Sequence, residues 1–484
     1  MAPSETQPGG PAPRDLIARW LLAAACLFAL VRFWRLGEWS LWHDEALALS
    51  DALQQSSALD NRLGYSILSL FLGLFETRPN EFWLRFIPAC LGWLTVPLTW
   101  WAFRPLAGSR RAAAAALLVA VWTWHVYWSQ NARFYTLAQD LALVGGGLVL
   151  RGYWRASISL VVLGFVFVAA GATAHPSVAF LFAGLVGGTW VARELGFRPP
   201  ADTRRGFFAI LGVGILIALV GAGWLYGIWD TWQQKKSPNA AHFLLTSGFF
   251  VTPLIGIGTL VGIYLSFRRE IIFGAVASCI VATSFAVAVA AALYARMSAQ
   301  YVFVLLPWIA VVAALPVGSG SAAAGESRRK GFASTSLLGL GYLALLVLPT
   351  LADLTLYFVV RHGDRPRWRE AYRYVFDHQT PGDLILGMEA PVGEYYLDPD
   401  PQRTEVRKWT HVAYLDRFRA ELAEEWARYP RRVWFIVNLE QLEDWEPEAK
   451  TRMEVTLREE CRLMKSFDVK VTARDLDVLV YLRE

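Results

Sequence analysis

Two adjacent carboxylates, Asp44 and Glu45, stand in the run Glu38-Trp39-Ser40-Leu41-Trp42-His43-Asp44-Glu45-Ala46-Leu47. They follow an apolar segment, Leu16 to Leu36, of the ~20-residue length that crosses a bilayer. Ionisable groups beside a membrane are costly to desolvate and mark sites that handle a polar substrate, a cation or a proton. A carboxylate there can act as general base toward a hydroxyl or amine, or hold a metal ion that activates one. The same acids also suit the first turn of an interfacial helix starting near His43, where the helix dipole favours negative charge. Residue type and spacing leave both readings open.

Cations that could answer these acids are few on the same face. Arg133 lies in Ser129-Gln130-Asn131-Ala132-Arg133-Phe134-Tyr135, Arg296 follows Tyr294-Ala295, and Lys235 and Lys236 form a pair. Arginine suits bidentate contact with phosphate, although Arg133 also fits a lipid-headgroup contact and the lysine pair fits a solvated loop. His175, before Pro176 at a helix end, fits either an active-site residue or a buried hydrogen-bonded histidine.

These residues are placed by a chain that reads as a polytopic membrane protein. Its 484 residues are 55% hydrophobic and 18% charged, with mean hydropathy +0.34, too apolar for a soluble chain of this size. The net charge of +5 comes from arginines between apolar spans, which reads as a topology signal and not as a nucleic-acid surface. Cys26, Cys90, Cys279 and Cys461 form no disulfide or zinc pattern. The Pro/Gly/Ser-rich stretch 1–13 reads as a disordered tail, and the span after it as a retained helix without a cleavage site.

After the first span come two amphipathic stretches, 44–55 and 63–76, too short to span and read as interfacial helices in an outer loop 37–81. Further spans are expected at Phe82–Phe103, Ala112–Trp128, Thr136–Leu150, Ile158–Thr173, Ser177–Ala192, Phe207–Trp229, Leu244–Phe267, Ile271–Leu293, Tyr301–Val317 and Leu337–Val360. That makes about eleven, with the dense basic clusters on one face and Asp44, Arg133, His175 and Arg296 on the other. The membrane domain is thus 14–360.

At Arg361 the composition turns polar, which marks a domain boundary. Segment 361–484 alternates helical patterns (Trp368 to His378, Tyr414 to Tyr429, Ala449 to Cys461) with strand-like runs (Leu384 to Gly387, Arg432 to Val437, Val478 to Leu482). A small extracytoplasmic α/β domain is predicted, with Trp434-Phe435-Ile436-Val437 as a buried central strand. It has no glycine-rich phosphate loop, so a structural or acceptor-recruiting cap is expected.

The series Trp42-His43-Asp44-Glu45-Ala46, Glu81-Phe82-Trp83-Leu84-Arg85, Ser129-Gln130-Asn131-Ala132-Arg133-Phe134-Tyr135 and Thr173-Ala174-His175 resembles the integral-membrane GT-C glycosyltransferases. The likeness is narrower to the family 39 and aminoarabinose-transferase-like branch related to protein O-mannosyltransferases, and it covers most of 15–360. It implies transfer of a sugar from a polyprenyl-phosphate donor to a lipid, polysaccharide or protein acceptor, with inversion, at the extracytoplasmic face of a plasma or bacterial inner membrane. It also implies Asp44 at the catalytic acidic position, as general base, with Glu45 its neighbour, Arg133 and Tyr135 in the second-loop motif near the active site, and His175 in the third; Arg296 and Lys235 are further cations, with Arg133 and Tyr135, for the donor phosphate, and His43, Gln130 and Tyr301 are expected about the site. No metal ligand set is visible. A divalent cation at Asp44 and Glu45 stays open, since two adjacent acids are a thin site for Mg²⁺.

Three departures from the family pattern stand out. Asn131 replaces an acid, with Asp140 a poor substitute; Gly64-Tyr65-Ser66 replaces a Pro-Pro-Leu run; and Gln300-Tyr301 replaces an Arg-Tyr pair, with Arg296 one turn earlier. A transporter or flippase of lipid-linked sugars would need internal repeats and mid-bilayer charge, neither of which is evident. A silent scaffold that recruits a partner enzyme is the other alternative.

Overall fold

The computed structural model describes residues 15–53, 62–75, 79–199, 203–234, 238–318, 328–397, 412–414, 432–443, 445, 447–469, 471 and 475–484. The expected tail 1–13, Lys235 and Lys236, and 415–429 of the expected helix from Tyr414 lie outside the described residues.

All eleven expected spans fall on helix. α1 (Leu16–Phe28), capped by the Asp15 carboxylate accepting from the Ala18 amide at 3.3 Å, runs on as a 3₁₀ turn Ala29–Phe33. Two short helices follow, α2 (His43–Leu53) and α3 (Arg62–Leu72), where interfacial helices were expected. Then come α4 (Glu81–Ala107), α5 (Ser109–Val121), α6 (Thr123–Ser129), α7 (Tyr135–Arg155), α8 (Ile158–Ala174), and α9 (Val178–Ala183), joined through a π-turn to α10 (Thr189–Glu194). The remaining membrane-domain helices are α11 (Thr203–Gln234), α12 (Ala240–Val251), α13 (Pro253–Arg268), α14 (Ile272–Ala292), α15 (Leu306–Ala313) with a preceding 3₁₀ turn Ala299–Leu305, and α16 (Arg328–Val359).

Among the described residues, 5 helices are long and apolar enough to cross a bilayer alone, or 7 if each of two bent pairs is one span. Those pairs fall on the expected spans Ala112–Trp128 and Leu244–Phe267. α5 and α6 meet at 64°, and α12 and α13 at 91°. The second break coincides with Pro253, which has no N–H to give and disfavours the helical region at Thr252, where ψ is 140°. At the first, Trp122 turns extended, and its indole donates to the Phe250 carbonyl at 3.0 Å, tying one break to the other. α7 and α8 approach so closely at Gly145 and Gly164 that a Cβ on either would meet the other's carbonyl oxygen at 2.6 or 2.7 Å, the small-residue packing typical of membrane helices.

Beyond α16 the chain forms the expected α/β domain. α17 (Trp368–His378) precedes a five-stranded sheet of β1 (Leu384–Gly387), β2 (Val412–Tyr414), β3 (Val433–Asn438), β4 (Arg462–Phe467) and β5 (Val478–Arg483), in the order β2-β1-β3-β5-β4. α18 (Ala390–Leu397) follows β1, and helix Pro447–Glu459 lies where Ala449 to Cys461 was expected. β1 pairs in parallel with β2 and β3, while β5 runs antiparallel to β3 and β4. β3 is buried along its whole length, as its apolar run predicted. Tyr414, expected in a helix, lies in strand β2.

The α/β domain grips the segment between α1 and α2. Tyr396 on α18 accepts from the Leu41 amide at 2.7 Å and donates to Glu81 at 3.0 Å, and the Arg369 amide on α17 donates to Ser40 Oγ at 3.0 Å. Arg369 also pairs with Glu81 at 2.7 Å, and Ala46 of α2 is buried in the same apolar cluster as Trp368 and Val392. Asp44 is therefore set by both domains.

Candidate active site

The two adjacent acids do different things. Glu45 is fully buried and receives both arms of Arg85: Nε donates to Oε1 and Nη2 to Oε2, each at 2.7 Å. The Ala132 amide donates to Oε1 at 2.7 Å, and Arg365 Nη1 to Oε2 at 3.3 Å. Burial pushes this carboxyl up, but Arg365 and Arg85 outweigh it and hold the group below its ordinary value. Arg85 goes on to bind the Leu36, Trp39 and Ser40 carbonyls, and Arg365 the Gln130 carbonyl at 2.7 Å. Glu45 is thus the knot that joins α2, α4, the 130–134 loop and the chain leaving α16.

With Glu45 turned inward, Asp44 turns the other way. Its side chain is 32% exposed and faces Arg133, whose Nη2 lies 3.9 Å from Oδ2 and whose Nη1 donates to the Asp44 carbonyl at 3.2 Å. Arg133 Nε is buried and makes no hydrogen bond, although the guanidinium also bonds Tyr65. Burial lowers the Arg133 pKa, but Asp44, Tyr135 and Tyr65 more than restore it, so the guanidinium stays charged.

Tyr135 and His175 complete this side, with ring centroids 4.4 Å apart, and Tyr301 lies 5.9 Å from His175. His175 Nδ1 pairs with Ser177 Oγ at 2.8 Å. Burial, reinforced by Arg133, lowers the His175 pKa from 6.5 to about 3. Unfolded chains take up this proton near 6.5 and the folded protein only near 3, so His175 removes stability as pH falls through that interval and none above it. Followed by NMR, the imidazole should show no protonation between about pH 5 and 8; a midpoint at the ordinary value would contradict this placement.

Two of the other expected site residues have partners of their own. Gln130 is buried and fully engaged: its amide donates to the Arg32 and Trp34 carbonyls, and its oxygen accepts from Trp39 and Tyr357. His43 faces the α/β domain, with Nδ1 2.7 Å from Glu389 Oε2. Arg296 is exposed on the loop after α14, and Lys235 lies outside the described residues. Asn131 accepts from the Trp42 indole at 3.1 Å, while Asp140 accepts from Thr95 at 2.6 Å within the membrane domain, so neither supplies Asp44 with a second acid. Arg85 had been read only as the end of the Glu81-Phe82-Trp83-Leu84-Arg85 run, with no site role, and Arg365 had not been singled out. The first had a signal, a charge just inside an apolar span; the second had none, 320 residues from its partner.

Among the described residues no three His, Cys, Asp or Glu side chains gather to hold a metal ion. The Asp44–Glu45 pair does not fit one, because both Glu45 oxygens accept from arginines and Asp44 would be the only carboxylate left. Beside Arg133 a small, partly open recess lies between α3, α4 and the start of α7. Its walls are apolar, among them Ile67, Leu68, Ile87, Leu91 and Phe134. Gly64 lets α3 close on Phe134, since a Cβ there would stand 2.2 Å from the ring.

No protein-family model matches the chain, and no curated protein sequence does. Solved structures do. The apo oligosaccharyltransferase of Archaeoglobus fulgidus superposes with a TM-score of 0.55 at 11% identity, over 89% of this chain and 70% of that one. Apo ArnT from Cupriavidus metallidurans gives 0.54 at 13% identity, over 96% and 97%. The same ArnT bound to undecaprenyl phosphate gives 0.51 at 12%, over 97% and 98%. The chain has the fold of the GT-C integral-membrane glycosyltransferases, a polytopic helical membrane protein with a C-terminal α/β domain.

Proposed function

We propose that this protein is a membrane glycosyltransferase that moves a sugar from a polyprenyl-phosphate donor to a hydroxyl or amine acceptor. The observation that carries the reading is the junction at Arg133: a half-buried cation beside Asp44 that also lines an apolar recess. A phosphate on an isoprenoid tail has this same pairing of charge and grease. The neighbours add support, since one ArnT structure holds undecaprenyl phosphate and another archaeal oligosaccharyltransferase structure holds dolichol phosphate with an inhibitory peptide.

In this reading Asp44 takes the proton of the acceptor as its oxygen or nitrogen attacks the anomeric carbon from the face opposite the phosphate. The bond to the phosphate oxygen breaks, the polyprenyl phosphate leaves with the electron pair, and Arg133 meets its charge. One displacement inverts the anomeric centre. Glu45 positions Asp44 and handles no proton. No step is assigned to a divalent cation, given the Glu45 contacts. The arginines at 104, 110, 111, 268 and 269 lie at helix ends; with those clusters read as cytoplasmic, this reading has the reaction and the α/β domain on the extracytoplasmic side of a plasma or bacterial inner membrane.

A photoreactive polyprenyl phosphate should crosslink to Ile67, Leu68, Ile87 or Leu91 and be competed by unlabelled lipid. Labelling confined to other helices would overturn the placement of the donor. Arg133→Ala should raise the donor KM by about 10- to 100-fold, and Arg133→Lys should recover only part, because an ammonium keeps the charge without the planar fork. Steady-state kinetics on the purified variants checks this, and an unchanged KM would exclude Arg133 from the phosphate.

A further inference from the structure

Glu389, in the turn between β1 and α18 of the α/β domain, is the carboxylate that meets the turn carrying Asp44. Its side chain is 5% exposed, whereas its partner His43 is 35% exposed. Oε2 lies 2.7 Å from His43 Nδ1, and Oε1 accepts from the Gln441 side-chain amide. Tyr372 fixes the backbone beneath it, donating to the Glu389 carbonyl at 2.9 Å. Each end of this acid is thus anchored within the α/β domain, with one oxygen turned outward to the membrane domain.

His43 is the first residue of α2, next to Asp44. Glu45 pins the same turn from the membrane-domain side through Arg85. Two struts of opposite origin, Glu45–Arg85 and Glu389–His43, therefore flank the one acid of the turn that is left for chemistry. A buried carboxylate hydrogen-bonded to an imidazole fixes the ring's tautomer and orientation, and so the backbone that bears it.

We propose that Glu389 is a positioning residue acting through His43, so that the α/β domain is part of the reaction site and not only its cover. The effect on transfer rests on the glycosyltransferase reading above; the effect on α2 does not. Glu389→Gln keeps the volume and an acceptor oxygen but removes the charge that holds the imidazole. His43→Asn removes the ring from the other side.

The test uses full-length protein in lipid: native, Glu389→Gln, His43→Asn and the double variant. Hydrogen–deuterium exchange of amides 43–53 should quicken about tenfold in each variant, with β3 amides unchanged. Transfer kcat should fall about tenfold with donor KM within about twofold, and the double variant should lose no more than either single one. Unchanged α2 exchange in Glu389→Gln overturns the proposal, as does multiplication of the two single effects in the double variant. Faster α2 exchange in a protein whose native form transfers nothing supports the strut and counts against the glycosyltransferase reading instead.

Discussion

Replacing Asp44 by Asn should lower turnover by about 10²- to 10⁴-fold, the range that a positioned general base supplies, with donor KM nearly unchanged. Asn matches Asp in volume and keeps an oxygen toward Arg133, so donor binding and folding survive while the proton acceptor is lost. The side chain is partly exposed and its contact with Arg133 is long, 3.9 Å, so few native bonds depend on it. kcat and KM from transfer kinetics, with a melting curve for the same sample, check the prediction. A fall in melting temperature matching the fall in activity would make Asp44 a structural residue.

The neighbouring acid should behave in the opposite way. Glu45→Ala leaves Arg85 and Arg365 buried without their carboxylate, and breaking a buried ion pair from one side costs about 3–5 kcal/mol. The expected result is a large loss of folded protein, visible as a lower melting temperature in lipid or detergent, with activity lost in proportion. Glu45→Gln should fall between, since an amide oxygen can accept from one arginine but carries no charge. The sign of the pH dependence follows from the depressed Glu45 pKa: its stabilisation is complete above the ordinary value of 4.5 and is lost as pH falls through the folded value. Acid unfolding of the native protein should therefore contain a component that Glu45→Gln lacks. If Glu45→Ala melts like the native protein but does not turn over, Glu45 belongs to the chemistry.

That Asp44 and Arg133 share one face was legible from sequence, because charge at the edge of an apolar span is rare. That Glu45 turns inward was not. Adjacent residues on a helix point about 100° apart, and which one faces inward depends on Arg85 and on Arg365, which reaches back from beyond the last span. The extent of the helices was readable from apolar length, and the break at Thr252–Pro253 had a local signal in proline. The break at Trp122 had none, since tryptophan disrupts no helix by itself. In the α/β domain, β3 announced itself by an unbroken apolar run, whereas β4 is a sheet edge whose Arg462, Leu463 and Lys465 are exposed, which erases the alternation that marks a strand. Glu389 could not have been found from sequence, because its meaning comes only from its contact with His43.

The most direct measurement is transfer itself. Purified full-length protein in bilayers would be given a panel of radiolabelled polyprenyl-phosphate sugars and a membrane extract as acceptor, with Asp44→Asn alongside. The predicted result is label passing from one donor into product with the native chain and not with the variant. Equal transfer by Asp44→Asn, or no transfer from any donor by a native protein that still crosslinks the prenyl phosphate, would contradict it.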